Sequence, residues 1–251
     1  MEKMKQDYSK YTEEDLLVWK TLFERQMKLL PGLASPFYLD GIEATGFEAN
    51  KIPKFEEVNE RLEKITGWNL VVVPGLIGNK EFFELLENKK FPATTWFRKH
   101  SQLDYLEEPD MFHDVFGHVP LLTNENFCGF LKGLSKIALK NIENELVVEL
   151  VSRIYWYTVE FGLIRQEDGA LRIYGAGILS SSGESVYSLS DDKPARVDYN
   201  PAEVLKTPYI KDKYQEKYFV INSYRELYES VDEIEVEMNK ILEKEADLVA
   251  K

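Results

Sequence analysis

Apolar side chains recur at helical spacing along most of this chain, so the pattern predicts a mainly helical protein. The first such stretch covers residues 13–30, with Thr12 as its N-cap and Pro31 and Gly32 as its stop. Short stretches rich in β-branched and aromatic residues predict strands at 68–73 and 93–98. Two further helices are predicted to begin at Pro53 and Pro109, and a short one is predicted at 80–88 with Asn79 as its N-cap. Longer helices are predicted at 126–140 and 145–164, and another passes through Tyr187. The last begins at a capping box formed by Ser223 and Glu226 and runs towards Val249.

Composition adds that the chain can bury one substantial core. Of its 251 residues, 44% are apolar and 13% are aromatic, and no internal repeat, low-complexity tract or Pro/Gly/Ser linker interrupts them. The fold class expected is therefore α+β, mainly helical, with a few short strands. We expect one domain that spans residues 1–251.

Charge and cysteine content restrict the class of partner and the compartment. The formal net charge is −13, which disfavours a broad binding surface for nucleic acid or for an anionic membrane. The single cysteine, Cys128, cannot form an internal disulfide, and the first residues lack the apolar stretch of a signal peptide. The uncharged apolar stretch at residues 70–79 is too short for a membrane helix. A cytoplasmic protein with neither nucleic acid nor membrane partners is expected.

Two of the three histidines lie five residues apart in the apolar segment EPDMFHDVFGHVPLL. On an uninterrupted α-helix this spacing leaves the side chains of His113 and His118 roughly 140° apart, too far to share one small ion. Gly117 and Pro120 allow the helix to end here, so that His118 can turn back towards His113. Two neutral imidazoles would then bind a divalent metal ion. Burial as hydrogen-bonded core residues is the alternative.

Glu160 is the candidate for a third ligand because it lies inside the most apolar helical pattern of the chain. A lone buried carboxylate is costly unless it is paired or binds a metal. An ion pair with Arg153 is the alternative, although Arg153 could equally pair with Glu149. Two histidines and one carboxylate suit non-haem iron(II) with open coordination positions, and they also suit a zinc hydrolase. The residue pattern alone leaves both open.

Three segments carry a specific resemblance. EPDMFHDVFGHVPLLT, IYWYTVEFGL and YGAGILSSSGE, in this order and spacing, resemble the pterin-dependent aromatic amino acid hydroxylases. QLDYLEEPD and the chain length are similar to the bacterial members that act on phenylalanine, and the similarity runs from about Val71 to Val220. The resemblance implies the single-domain catalytic fold of that family and a mononuclear iron(II) held by His113, His118 and Glu160.

The same resemblance implies roles for residues around the metal. In VVVPGLIGNKEFF, Phe82 would stack on the pterin ring, where the alternative is ordinary core packing. Arg98 would bind the carboxylate of the substrate, where the alternative is an exposed cation at a strand end. Gly75, Leu76, Asn79 and Asp114 would lie along the pterin; Phe91 and Trp156 would hold the substrate ring; Gly177, Ser180 and Glu184 would lie beside the amino acid; and Tyr155 would pack near the iron.

Three departures from the family pattern bear on these implications. Asp114 stands where many relatives have glutamate, and it shortens a side chain that faces the pterin. Lys211 stands where a small apolar residue near the substrate pocket is expected, so the sequence does not fix the preferred amino acid. The regulatory and tetramerisation regions of the animal enzymes have no counterpart in this length, which leads us to expect a monomer.

The resemblance thus implies a monooxygenase that converts L-phenylalanine to L-tyrosine with iron(II), molecular oxygen and a tetrahydropterin such as tetrahydrobiopterin. Phe91 and Trp156 favour phenylalanine over tryptophan, while tyrosine stays open. From another class, a zinc hydrolase would use the same three ligands with Asp114 or Glu184 as general base. A non-catalytic protein with a structural metal would need a fourth ligand, for which His100 and Cys128 are the spare donors.

Overall fold

Helices fill most of the chain that the computed structural model describes, which is residues 4–104, 108–211 and 213–249. The α-helices are α1 Glu13–Leu29, α2 Pro36–Thr45, α3 Phe55–Ile65, α4 Asn79–Glu87, α5 Glu125–Lys140, α6 Glu145–Tyr155, α7 Ala176–Leu179, α8 Ser182–Ser190, α9 Pro201–Lys206, α10 Tyr224–Glu229 and α11 Val231–Val249. Two π-helices, Phe112–His118 and Trp156–Glu160, lie among them. The expected mainly helical α+β fold is confirmed. Within the described ranges, no helix combines the length and the hydropathy that a membrane span needs.

Polar side chains fix where several helices begin. Thr12 accepts a hydrogen bond from the backbone N–H of Asp15, and the Asp15 carboxylate accepts one from Thr12. Asn124 and Asn144 cap α5 and α6 in the same manner through their side-chain oxygens. These bonds satisfy backbone donors that the first turn of a helix leaves without partners. Helices α5 and α6 therefore start at defined positions.

Six short strands form two sheets. They are β1 Asn69–Val72, β2 Lys90–Ala93, β3 Leu163–Arg165, β4 Leu171–Ile173, β5 Ala195–Asp198 and β6 Lys217–Ile221. Strands β1 and β2 pair in parallel, with Asn69 opposite Lys90 and Val72 opposite Ala93. The second sheet has the order β4-β3-β6-β5, antiparallel between β3 and β4 and parallel elsewhere.

One connected cluster of buried apolar side chains extends from Val18 on α1 to Met238 on α11. Its largest fully buried members include Trp19, Trp68 and Phe116. Burial of such aromatic groups supplies the main favourable free energy of folding. The π-helix Phe112–His118 crosses this cluster, so most of its side chains are anchored in the core.

Several element boundaries differ from the expected ones. The helices expected to begin at Pro53 and Pro109 begin at Phe55 and Phe112. Residues 93–98 are not a strand: β2 ends at Ala93, and the backbone N–H groups of Thr94 and Arg98 donate to the side chains of Asp114 and Asp110 instead of to a sheet. The helix expected at 145–164 ends at 160, because residues 163–165 join the second sheet as β3. The N-cap of α4 is Gly78 rather than Asn79, and the last helix is split at Ser230 into α10 and α11.

Candidate metal centre and active site

His113 and His118 face each other because the segment that carries them is a π-helix. Hydrogen bonds in a π-helix close between residues five apart, so side chains at this spacing lie on the same face. The Nε2 atoms of the two imidazoles are 3.2 Å apart. The rings therefore converge by a different route from the expected one: the helix does not stop at Gly117 but winds more widely and continues as a 3-10 helix, Val119–Thr123.

Glu160 reaches the same point from the second π-helix, Trp156–Glu160, which continues α6. One carboxylate oxygen lies 3.2 Å from Nε2 of His118, and the other lies 3.6 Å from Nε2 of His113. Arg153 instead pairs with Glu149 at 3.0 Å and donates to the carbonyl oxygen of Leu205. The alternative in which Arg153 neutralises Glu160 is therefore wrong.

These three side chains fit a single metal ion. Two ligand atoms held about 2.1 Å from one ion lie roughly 3.0 Å apart at a right angle and roughly 3.4 Å apart at the tetrahedral angle. Two of the observed separations, 3.2 and 3.2 Å, fall within this range, and the third, 3.6 Å, lies just above it. One ligand atom from each residue lies within 4.8 Å of the others. Two nitrogens and one carboxylate that leave coordination positions open suit non-haem iron(II).

The protonation states also suit metal binding. Burial lowers the pKa of His113 below its ordinary value, which keeps this imidazole neutral near pH 7. Burial raises the pKa of Glu160, but the charge of His118 and its hydrogen bond outweigh this effect and hold that pKa below its usual range. A neutral imidazole and an ionised carboxylate are the forms that bind a cation.

Ser180 sets which nitrogen of His113 faces the centre. Its hydroxyl donates to the carbonyl oxygen of Ala176 at 2.8 Å and lies 2.9 Å from Nδ1 of His113. Because the single hydroxyl proton is committed to Ala176, the Ser180 oxygen accepts from Nδ1–H. The lone pair of Nε2 is then left for the metal.

Close packing fixes the backbone behind Glu160. The carbonyl oxygen of Gly162 accepts hydrogen bonds from the N–H groups of Tyr174 and Gly175. A Cβ atom on Gly175 would lie 2.4 Å from the carbonyl oxygen of Glu160, and one on Gly162 would lie 2.1 Å from the Tyr174 ring. Only glycine fits at these two positions, so the approach of Glu160 to the histidines depends on them.

A cavity of about 320 Å³ opens over the three candidate ligands. Its lining contains most of the residues that the sequence assigned to the pterin and to the substrate ring, namely Gly75, Leu76, Asn79, Phe82, Phe91, Asp114, Tyr155 and Trp156. Leu76 is 77% exposed and lies at the rim. Arg98, Gly177, Ser180 and Glu184 lie outside the lining. Residues that the sequence assigned to the pterin and to the substrate ring therefore form walls of the cavity, while these four do not contribute to its lining.

The side of the cavity expected to hold the pterin combines an aromatic face with a carboxylate. Phe82 is half-buried and packs edge-on against Phe83 and Tyr155, with ring centres 5.4 and 5.5 Å away. The Asp114 carboxylate accepts hydrogen bonds from both the backbone N–H and the hydroxyl of Thr94. Burial raises the pKa of Asp114 above its ordinary value. Its shorter side chain is thus held at a fixed place in the wall by Thr94, the residue that follows β2.

Arg98 is buried in an ion pair and is not the exposed cation of the alternative interpretation. It is 8% exposed, and its Nε and Nη2 atoms each donate to a carboxylate oxygen of Asp110 at 2.8 Å. The same carboxylate accepts from the backbone N–H groups of Arg98 and His113. Burial raises the pKa of Asp110, but the Arg98 guanidinium outweighs it and lowers that pKa.

The wall expected to hold the substrate ring depends on residues that the sequence analysis missed. The indole N–H of Trp156 donates to Oε1 of Gln215 at 3.1 Å, and Tyr209 stacks on Trp156 with ring centres 4.8 Å apart. Glu184 accepts from the Tyr218 hydroxyl at 2.7 Å and from the N–H of Gln215 at 3.3 Å. Gln215 is buried between them. Only its position in an aromatic-rich segment before β6 could have indicated it.

Together, two histidines and one carboxylate at the floor of an open, aromatic-walled cavity define the site of a mononuclear non-haem metal enzyme. The sequence matches the family of biopterin-dependent aromatic amino acid hydroxylases over residues 3–250, and the chain belongs to that family. The resemblance of the three sequence segments is thereby confirmed.

Individual relatives agree with this assignment. The phenylalanine-4-hydroxylase of Ralstonia nicotianae is 45% identical over 227 residues, which are 90% of this chain and 72% of the relative. The crystal structure of Chromobacterium violaceum phenylalanine hydroxylase with bound Fe(III) is 44% identical, with a TM-score of 0.91 over 96% of this chain and 86% of that one. A structure of the same enzyme with iron(III) and 7,8-dihydrobiopterin gives a TM-score of 0.89 at 44% identity over 95% of this chain and 86% of that one.

Proposed function

We propose that this protein is a phenylalanine 4-monooxygenase, which converts L-phenylalanine to L-tyrosine with iron(II), molecular oxygen and a tetrahydropterin. The observation that carries the proposal is that a single cavity is lined by the three candidate ligands, by Phe82 on α4 and by Trp156. The relatives named phenylalanine-4-hydroxylase support phenylalanine as the substrate. His113, His118 and Glu160 would hold the iron.

Bound iron(II) and tetrahydropterin would supply the electrons and the oxygen activation that hydroxylation of an aromatic ring needs. The contribution of the chain is to hold the reactants in one orientation, which lowers the entropic cost of bringing them together. Phe82 would stack on the pterin, with Gly75, Leu76 and Asn79 along its edge and Asp114 facing it. Tyr155 closes the wall next to Phe82.

On the substrate side, Phe91 and Trp156 would hold the aromatic ring between them. Phe91 is 3% exposed, and its ring lies 4.9 Å from that of His118, so it covers one face of this ligand and keeps water from it. Arg98 would attract the carboxylate of the amino acid, and Gly177 and Ser180 would lie beside it. Glu184 would act through Gln215, which holds the indole of Trp156.

We further propose that residues 1–251 act as one catalytic domain and as a cytoplasmic monomer, with no nucleic acid or membrane partner. The connected core from α1 to α11 supports a single domain. The net charge of −13 and the buried, unbridged Cys128 support a reducing compartment without polyanionic partners.

Sedimentation analysis of the iron-loaded protein tests the monomer: a mass near 29.2 kDa is expected, and twice or four times that mass would contradict it.

The function is tested by loading the protein with ferrous iron and then adding tetrahydrobiopterin, oxygen and one amino acid. Tyrosine should form from L-phenylalanine with a higher kcat/KM than any product from L-tyrosine or L-tryptophan. Protein loaded with zinc serves as the control and should form no tyrosine, because zinc has no redox chemistry. Absence of product from all three amino acids with iron, together with hydrolase activity of the zinc form, would establish the competing function.

Phe82→Leu should raise the KM for tetrahydropterin about threefold to tenfold and leave the KM for phenylalanine within about twofold. Leucine keeps the side chain apolar but loses the ring, and an offset aromatic stack contributes roughly 0.5–1.5 kcal/mol beyond area burial. Phe82→Tyr keeps the ring and is the matched control, with a KM near that of the wild type. If both variants raise the KM for pterin equally, Phe82 packs in the wall and does not stack on the pterin.

A further inference from the structure

The aromatic wall of the cavity ends in a lysine. Lys211 is the one Lys or Arg among the described residues that line the cavity, next to Tyr209 and Trp156, while Asp114 and Glu160 are the acids there. Its Nζ atom lies 5.5 Å from the centre of the Tyr209 ring, and the side chain is exposed. A positive charge is thus available at the mouth of an otherwise aromatic and acidic cavity.

Arg98 is less available to a carboxylate that enters this cavity. It lies outside the lining, and Asp110 occupies its Nε and Nη2 atoms while the carbonyl oxygen of Leu103 accepts from Nη1. The buried Asp110 balances its charge, so a second carboxylate meets a pair that is close to neutral. A flexible ammonium group such as that of Lys211 adds a charge that no buried partner balances.

The position of Lys211 is tied to the wall that would hold the substrate ring. Gln215 accepts from the indole N–H of Trp156, and its Nε2 atom donates to the carbonyl oxygens of Ile210 and Lys213 on either side of Lys211. Tyr209 stacks on Trp156. The backbone that carries Lys211 and the indole are therefore held by one buried side chain, at a set distance from each other.

We propose that Lys211 is a specificity-determining residue that receives the α-carboxylate of the amino acid, in addition to the attraction from Arg98. It would favour free aromatic amino acids over aromatic amides and amines. This inference rests on the proposed function, because it assigns part of the substrate recognition at that same site.

The test compares Lys211→Met with the matched control Lys213→Met. Lys213 is on the same segment, is mostly exposed, pairs with Glu216 and does not line the cavity. At low salt, Lys211→Met should raise the KM for L-phenylalanine about twofold to fivefold without lowering kcat, since an exposed ion pair is lost. The KM for L-phenylalaninamide should not change, and Lys211→Arg should keep wild-type values. Salt at 0.5 M should reduce the difference, because it screens exposed charges.

If Lys211→Met leaves the ratio of the KM for L-phenylalanine to the KM for L-phenylalaninamide unchanged, the inference is overturned. A rise confined to the KM for tetrahydropterin would overturn it as well. Calorimetric binding of L-phenylalanine and its amide to the iron-loaded proteins separates this inference from the proposed function. If the wild type forms no tyrosine but binds L-phenylalanine in preference to its amide, and Lys211→Met removes this preference, only the proposed function fails. If tyrosine forms and the preference does not depend on Lys211, only the inference fails.

Discussion

Glu160→Ala should abolish tyrosine formation and lower the affinity for iron(II) by more than about 100-fold. Loss of a group that only supports a metal ligand already costs roughly 10- to 100-fold in affinity, and loss of the ligand itself should cost more. The carboxylate also balances the charge of the ion between two neutral imidazoles. His113→Ala and His118→Ala should have effects of the same size, because each removes one of the three donors that come together among the described residues.

The measurement is the iron content of each variant after gel filtration, together with its titration against ferrous iron. Glu149→Ala is the matched control: it removes a carboxylate from α6, the helix that the π-helix of Glu160 continues, and Glu149 pairs there with Arg153 away from the centre. Circular dichroism and urea unfolding report whether each variant is folded. The control should bind iron as the wild type does.

Ser180→Ala gives a graded outcome within the same experiment. It keeps all three ligands but removes the acceptor for Nδ1–H of His113, so the tautomer and orientation of the ring are no longer fixed. A loss of iron affinity of about 10-fold is expected, between the control and the ligand variants. Full iron content in any one ligand variant that is folded would remove that residue from the ligand set.

The sequence predicted the three candidate ligands because each stands out locally. His113 and His118 are two of only three histidines, and Glu160 is an acid in an apolar helical pattern. The way in which they meet was not predictable, since a π-helix differs from an α-helix only by where each backbone N–H finds its acceptor. The π-helix buries Phe112 and Phe116 and lies close to α7, and these are tertiary contacts that the local sequence does not reveal.

The partners of the predicted residues were harder to predict for the same reason. Asp110 lies 12 residues from Arg98, and Gln215 lies 59 residues from Trp156. Neither pair has a periodic spacing, and both form only when the core brings the segments together. The strand expected at 93–98 is wrong for a related reason, because two carboxylates from the π-helix segment take the hydrogen bonds of a backbone that has strand propensity.

Asp110→Asn should destabilise the fold by about 3–5 kcal/mol, the largest loss of stability expected from a single polar substitution near the site. Asp110 is fully buried and Arg98 is 8% exposed, so the substitution leaves a guanidinium charge without a buried partner. The asparagine also weakens the acceptor for the N–H groups of Arg98 and His113. Urea unfolding of the two proteins measures the difference.

Asp104→Asn is the matched control for that measurement. Asp104 pairs with Arg25 at 2.6 Å, but its side chain is 86% exposed, so this loss should stay within about 1 kcal/mol. A second variant tests the physical reason: Arg98→Met combined with Asp110→Leu removes both charges and should recover most of the stability while it weakens phenylalanine binding. If Asp110→Asn costs no more than Asp104→Asn, the buried charge pair does not stabilise the fold as argued.

The stability difference between wild type and Asp110→Asn should also depend on pH, with a sign that the pKa of Asp110 sets. Burial raises the pKa of Asp110, but Arg98 lowers it by more. The folded-state pKa is therefore below the unfolded value of about 3.9. The carboxylate therefore contributes stability that is fully present above the unfolded pKa and is lost as the pH falls through the folded-state pKa. The stability difference between the two proteins should be fully present at about pH 5 to 8 and should disappear in acid. A difference that stays constant down to about pH 2 would mean that shape and hydrogen bonding at position 110, rather than the ionised carboxylate, hold Arg98 in place.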